Sequence, residues 1–289
     1  MVARQAHNLE VACSSPASAT IKSYAMCYDF FFSCYTLFIY IVGNNRFLHL
    51  LCHKNDIAMK NAIVTGGTSG IGLAIARMLA KNGYHVFATY SVHDLDECVE
   101  NVETCCADQS DKDSMCRFVE YVKAKVDTVD CMVLNAGITL RKGLTDFTDE
   151  EWERVMQVNV NAPTYLVRDL YNIIPSGSRI VFIGSEMAIH PHGTSLAYGV
   201  TKSAVHALSQ NLVKFFEGTG TTVNTVAPGF VETPWQAGKP QAIRDSICGK
   251  TAIHRFATVE EVADAVNFCI NNPFVNGAVI EVSGGYSYR

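Results

Sequence analysis

The pentapeptide "YGVTK" sets a phenol, Tyr198, four residues before an ammonium, Lys202, so a helix carries both on one side. Ala197, Val200, Ala204 and Val205 make the surroundings apolar. A cation held beside a phenol favours phenolate and lowers the pKa from its usual value of about 10. A tyrosine titrating nearer neutrality can pass a proton to and from a substrate oxygen. That suits the interconversion of a carbonyl and an alcohol, in which hydride reaches carbon and a proton reaches oxygen. The plain alternative is two unrelated surface groups. Ser185 follows the apolar run "RIVFIG", and its hydroxyl suits a hydrogen bond to the same oxygen; an ordinary turn serine is the competing reading.

Such groups need a scaffold to hold them. From Lys60 onward, short apolar runs alternate with helical stretches. "NAIVTG", "HVFATY", "TCCAD", "CMVLNAG", "RIVFIG", "TVNTVA" and "AVIEVSGG" read as strands. Between them, Ile71, Ile75, Met78 and Leu79 recur at helical spacing until Gly83 stops the run. "SMCRFVEYVKAKV" is helical, and "AYGVTKSAVHALSQNLVKFFEG" is a helix closed by Gly218. Thr148 with Glu151, and Thr258 with Glu261, are capping boxes that open two more helices. Pro163 inside the first of these predicts a kink or a local irregularity. The alternation predicts an α/β fold: one doubly wound parallel sheet of about seven strands, covered by helices on both faces. The weakly periodic stretch 228–257 reads as a lid over the sheet's C-terminal edge.

The chain has 289 residues, of which 48% are hydrophobic, enough for one large domain with a full core. Basic side chains number 23 against 28 acidic ones, and the absence of a long basic run argues against nucleic acid as a partner. Eleven cysteines without a CxxC, several inside apolar runs, point to thiols in a reducing, cytoplasmic compartment. Residues 1–58 differ in character from the rest of the chain. The apolar run from Phe30 to Val42 is shorter than the ~20 residues a spanning helix needs. Membrane anchor, targeting segment and non-native or disordered extension all compete there, the last being preferred. Residues 59–289, from Met59 and the strand after it, are expected to form the catalytic domain.

"TGGTSGIG" joins the first strand of that domain to its first helix. Glycines at 66, 70 and 72 permit a tight turn and let a ligand approach backbone N–H groups at the helix N-terminus, which suits a pyrophosphate. Taken with "NAG" at Asn135–Gly137, Ser185, YxxxK and "PG" at Pro228-Gly229, in that order, the chain from Met59 to Arg289 resembles the short-chain dehydrogenase/reductase family. Stretches such as "NAGITLRKGL", "DEEWERVMQVNV" and "TVNTVAPGFVET" resemble its 3-oxoacyl-acyl-carrier-protein reductase branch. The resemblance implies a Rossmann-type fold and a catalytic tetrad of Asn159, Ser185, Tyr198 and Lys202, with Asn159 holding a water that links the lysine to solvent. It implies a nicotinamide cofactor held by the turn (Gly66, Thr68, Ser69, Gly70, Ile71, Gly72), by Tyr90 and Ser91, and by Asp108 and Gln109. It adds Asn135, Ala136 and Gly137, the reacting pair, and Pro228, Gly229, Val231 and Thr233. A homo-oligomer, dimer or tetramer, is implied, with the helices around Trp152 and Val205 as candidate interfaces.

An acidic residue at the end of the second strand suits a ribose 2′-OH, and arginine suits a 2′-phosphate. Here that position holds Tyr90, flanked by Thr89 and Ser91. With hydroxyls at Ser69 and Ser91 and no acid opposed, NADP(H) is preferred over NAD(H). Phe230, Trp235 and Phe256 read as an apolar wall of the lid. His190 and His192, between serine and tyrosine, are either substrate contacts or solvated loop residues. The substrate is a small carbonyl or alcohol, 3-oxoacyl-type or otherwise. A sugar or polyol dehydrogenase is an alternative, and a catalytically silent cofactor-binding sensor another; no metal is implied.

Overall fold

The computed structural model describes residues 59–191 and 195–286, and the backbone of three earlier strands. The chain divides into two compact units, residues 1–58 and 59–289. In the first, β1 (Ser23–Phe30), β2 (Ser33–Tyr40) and β3 (His49–Lys54) form an antiparallel sheet with β2 in the middle. The apolar run Phe30–Val42 lies partly outside the described residues. Among the described residues no helix is long and apolar enough to cross a membrane.

In the second unit, strands β4 (Lys60–Val64), β5 (Tyr84–Tyr90), β6 (Val102–Cys106), β7 (Cys131–Leu134), β8 (Arg179–Ile183), β9 (Thr222–Pro228) and β10 (Val279–Val282) form a seven-stranded sheet. Its order is β6-β5-β4-β7-β8-β9-β10, and every pairing is parallel. This is the doubly wound Rossmann-type sheet expected from the strand–helix alternation. Alternate residues of each strand face opposite sides, so both sides must be apolar. Ala62 and Val64 pack with Ile75 and Leu79 of α1 (Gly70–Lys81) and with Val262 and Val266 of α7 (Val259–Asn271). Ile63, between them, packs on the other side with Phe118 of α2 (Lys112–Lys125), Leu166 of α4 (Ala162–Leu170) and Val205 of α5 (Leu196–Leu212).

Local signals set the helix ends. Both capping boxes are closed: Thr148 opens α3 (Asp149–Met156) and Thr258 opens α7. Gly83 and Gly218 take positive φ just past their helices, where an L side chain would be strained. Pro163 does not kink a continuous helix. Between α3 and α4 the chain widens into a π-helical turn over Gln157–Asn161, in which Ala162 N–H bonds the carbonyl of Gln157. Pro163 has no N–H to give to the carbonyl of Asn159, and the wider turn accommodates that loss. The lid region contains a further helix, α6 (Gln241–Lys250), not evident from periodicity.

Candidate active site

The chain order along the sheet reverses between β4 and β7. Open α/β sheets bind ligands at such a point, beyond the strand C-termini. A cleft of about 1270 Å³ lies there, larger than a drug-sized pocket and roomy enough for a dinucleotide with a small substrate. Six strands deliver its walls from their C-terminal ends: Gly66 after β4, Tyr90 and Ser91 at β5, Asp108 and Gln109 after β6, Asn135 to Gly137 after β7, Ser185 after β8, and Pro228, Gly229 and Val231 at β9.

The glycine turn forms a cradle. Gly66 has φ +62°, and a Cβ there would lie 3.2 Å from both Ala136 Cβ and Asn135 Nδ2. A Cβ on Gly72 would fall 2.0 Å from the Gly66 carbonyl oxygen. Asn135 locks the turn, its Nδ2 donating to the carbonyls of Thr65 (2.9 Å) and Gly66 (3.2 Å). Ser69, Gly70 and Ile71 line the cleft where α1 begins, with no side-chain cap and no acidic residue in the first turn. Uncapped N–H groups and the positive dipole end fit a pyrophosphate. These residues therefore suit a dinucleotide, with Thr233 from the lid closing over Gly70. Thr68 does not line the cleft; its hydroxyl donates to His93 O at 2.9 Å. At the far end, Asp108 accepts from Ser110 N and Oγ, both at 2.8 Å. Gln109 is buried, and its Nε2 donates to Val158 O at 2.6 Å. That carbonyl is available because Ala162 bonds Gln157 instead, so the π-turn is tied to the cofactor wall.

Ser185, Tyr198 and Lys202 all line the cleft. Lys202 Nζ lies 5.6 Å from the centre of the Tyr198 ring and donates to Ile183 O at 2.6 Å. The Ser185 hydroxyl accepts from Met187 N at 3.1 Å and lies near the Tyr198 hydroxyl. Asn159 lies behind this wall: its Oδ1 accepts from Ile138 N (2.8 Å), and its Nδ2 donates to Ile138 O and Thr201 Oγ1 (2.9 Å each). Gly137 separates it from the lysine, since a Cβ there would sit 3.2 Å from Asn159 Oδ1 and 3.5 Å from Lys202 Nζ.

The electrostatics differ from the expectation based on spacing. Burial pushes the Tyr198 phenol above its usual range, and the Ser185 hydrogen bond only partly opposes this. Burial also pulls Lys202 down to about 8. The pair faces one cavity, but burial, not the lysine charge, sets the direction in which the phenol shifts. Val200, read as part of the apolar surroundings, is 41% exposed, whereas Val205 is in the core rather than at a surface.

Several contributors were invisible in the sequence. His206, one turn beyond Lys202, accepts from Ser185 N at 3.4 Å, and burial and then the Lys202 charge lower it to about 4. It is therefore a neutral acceptor under the serine. Glu186 is buried in the cleft wall against Gly229. Trp235 presents its ring edge-on to Tyr198 at 6.3 Å. Phe256 lies behind Phe230 rather than in the wall. His190 is half-buried outside the wall, and His192 lies outside the described residues.

A family model described as enoyl-(acyl carrier protein) reductase matches residues 66–287. The cis-4-hydroxycyclohexanecarboxylate dehydrogenase of Sinomonas cyclohexanicum is 31% identical over 246 residues, covering 80% of this chain and 97% of its own. The 3-oxoacyl-acyl-carrier-protein reductase of Thermotoga maritima is 30% identical, covering 78% and 97% respectively. The crystal structure of a blue fluorescent protein from a metagenomic library, in complex with NADPH, superposes with a TM-score of 0.72 at 28% identity, over 79% of this chain and 98% of that one. With a phosphate cradle, a serine–tyrosine–lysine wall and these relatives, the chain belongs to the short-chain dehydrogenase/reductase family of NAD(P)-dependent oxidoreductases.

Proposed function

We propose that the protein interconverts a small ketone and the corresponding secondary alcohol, with Tyr198 as acid and base. The observation that carries this is the convergence of Ser185, Tyr198 and Lys202 on one cleft with the glycine cradle. When bound, a nicotinamide dinucleotide supplies or accepts the hydride. Ser185 and Tyr198 donate hydrogen bonds to the substrate oxygen, and Tyr198 hands over its proton as the alcohol forms. A phenol held above its usual pKa is fully protonated at neutral pH, as reduction requires. Lys202, fixed on Ile183 O, steadies negative charge on the tyrosine oxygen during transfer. Tyr198→Phe should lower turnover at least 10²-fold, the low end for general acid catalysis, while cofactor still binds. Near-normal turnover in Tyr198→Phe would overturn the assignment.

The cofactor reading is NADP(H), supported by Ser69 and Ser91 in the cleft wall and by the absence of an acid at Tyr90. One observation favours NAD(H) as a second reading. Asp94, which accepts from Leu95 N at 2.7 Å and lies near Thr104 and Tyr90, puts a carboxylate near that end. The ratio of kcat/KM with NADPH and NADH decides, and an excess for NADH reverses the preference. The named substrates of the relatives, a hydroxylated ring carboxylate and 3-oxoacyl groups, support a ketone or alcohol with a hydrophobic body for Trp235 and Phe230. We assign catalysis to residues 59–289 alone. A chain starting at Met59 should match the full chain in kcat/KM, and loss of activity would refute that. We place the enzyme in the cytoplasm as a homo-oligomer through α3 and α5, where Val200 and Leu196 are exposed.

A further inference from the structure

The charges lining the cleft are unbalanced. Five cations, Arg141, Arg154, Lys202, Lys239 and Lys250, face only Asp108 and Glu186. Asp108 is engaged by Ser110 at the dinucleotide end, and Glu186 lies under Gly229. Two of the cations lie on segments that border the reacting tyrosine. Arg141 follows a loop pinned to the start of α5: Ser195 Oγ donates to Leu140 O at 2.6 Å and lies 3.1 Å from Thr139 Oγ1. Lys239 is held by its backbone N–H on Gln236 O at 3.0 Å, in the lid segment whose Trp235 meets the Tyr198 ring.

Arg141 and Lys239 are close enough to feel each other. Burial, then Arg141, then Arg244 pull the Lys239 ammonium below its usual range. Arg244 is neutralised by its ion pair with Glu232. Among the described residues, neither Arg141 nor Lys239 has a carboxylate partner. Like charges held together with no counter-charge are unfavourable unless a ligand supplies one.

We propose that Arg141 and Lys239 form an anion subsite, so that the substrate carries a carboxylate or a phosphate monoester at the end remote from the reacting carbon. Arginine offers a planar fork of donors and lysine a point charge, a combination that suits either anion. The subsite deepens the ketone–alcohol reading above and rests on it for its place in the reaction.

Binding and turnover test it separately. Calorimetric titration of the full chain with NADP⁺ present would use cyclohexanecarboxylate, cyclohexyl phosphate and the neutral cyclohexanecarboxamide. At least one anion should bind 10-fold or more tightly than the amide, the better of the two identifying the group. That preference should shrink 10-fold in Arg141→Gln and in Lys239→Gln, and fall as salt rises. Both positions are at least partly exposed, and unchanged melting temperatures will show that the variants fold. In turnover, the kcat/KM ratio of 4-oxocyclohexanecarboxylate over its methyl ester should fall by the same factor. Equal binding of amide and anions, or an unaltered preference in both variants, overturns the subsite. Selective anion binding without turnover of any ketone leaves the subsite standing and refutes the reaction proposed above.

Discussion

Gly184 joins β8 to Ser185, and its lack of a side chain leaves the space that the His206 ring fills. A Cβ added there would lie 2.2 Å from His206 Nε2, 2.6 Å from His206 Cδ2 and 2.7 Å from Thr225 Cγ2. Comfortable contacts are about 3.5–4.0 Å, so each gap is short by roughly an ångström. Thr225 is fully buried in β9 and has no room to retreat, and Gly184 is itself held by its N–H on Val226 O at 2.8 Å. His206 can swing outward only by giving up its bond from Ser185 N. Overpacking of this kind costs about 1–3 kcal/mol, and with backbone and Thr225 fixed the upper end applies. For a unit of this size, 3 kcal/mol lowers the melting temperature by about 6–12 °C. Ser185 must move with its neighbour, and misplacing a reacting group by ~1 Å costs up to about 10²-fold in rate. Urea unfolding and kcat for ketone reduction should therefore both register Gly184→Ala. Replacing His206 with Ala removes two of the three contacts, so Gly184→Ala should cost at least ~1 kcal/mol less in that background. A Gly184→Ala protein as stable and active as wild type refutes the packing argument. An equal loss with and without His206 refutes the ring as the obstacle.

Lys202→Met tests the buried cation. Because Lys202 falls to about 8 when folded, against 10.5 when exposed, the unfolded chain binds more protons between those pH values. The burial penalty, about 3 kcal/mol, is thus fully present at pH 7 and relieved as pH climbs through that window. Relative to Lys202→Met, wild type should gain stability from pH 8 to 10.5 in urea titrations; a flat difference contradicts a buried ammonium. Arg179 begins β8 and donates to the carbonyls of Ile270 (2.8 Å), Gly177 (2.6 Å), Ser178 (2.8 Å) and Gly220 (3.2 Å). Arg179→Met should cost about 2–3 kcal/mol in stability without lowering kcat/KM, since it lies at the strand end opposite the cleft. A selective loss of activity at unchanged stability would show that Arg179 reaches the site.

What was legible in the sequence was local. The seven strands are nearly continuous apolar runs because both faces of the sheet are covered. Thr148 and Thr258 announce helix starts because a cap needs only its own turn. The glycine turn was legible because its backbone geometry excludes most other residues. What was not legible depends on long-range neighbours. Helix α6 hides because only Ile247 of "QAIRDSICGK" is buried, so no apolar stripe marks it. Arg141 and Lys239 come from separate segments whose meeting no spacing reveals. Val200 looked like part of the apolar pocket, yet it is exposed, two residues before Lys202 and so on the opposite side of α5. Spacing placed Tyr198 over Lys202 but carried no measure of burial, and burial decides the direction in which the phenol shifts.

The same burial explains how the two groups suit proton transfer without a phenolate at rest. A tyrosine pre-ionised at neutral pH would serve alcohol oxidation but would have no proton to give a carbonyl. On the proposed reaction, a Tyr198 held protonated is ready for reduction, and Lys202, lowered to about 8, is the neighbouring group placed to replace the proton it gives. Next to the lysine, the missing Cβ of Gly137 leaves space beside Lys202 Nζ and Asn159 Oδ1. Asn159 is held in that position by a turn widened around Pro163, and the carbonyl released by the widening anchors Gln109 at the cofactor end. One proline that cannot donate a hydrogen bond thus lies where the turn holding Asn159 meets the anchor of Gln109. Its local irregularity is a positioning device, built from a helix turn that a continuous α-helix would have closed.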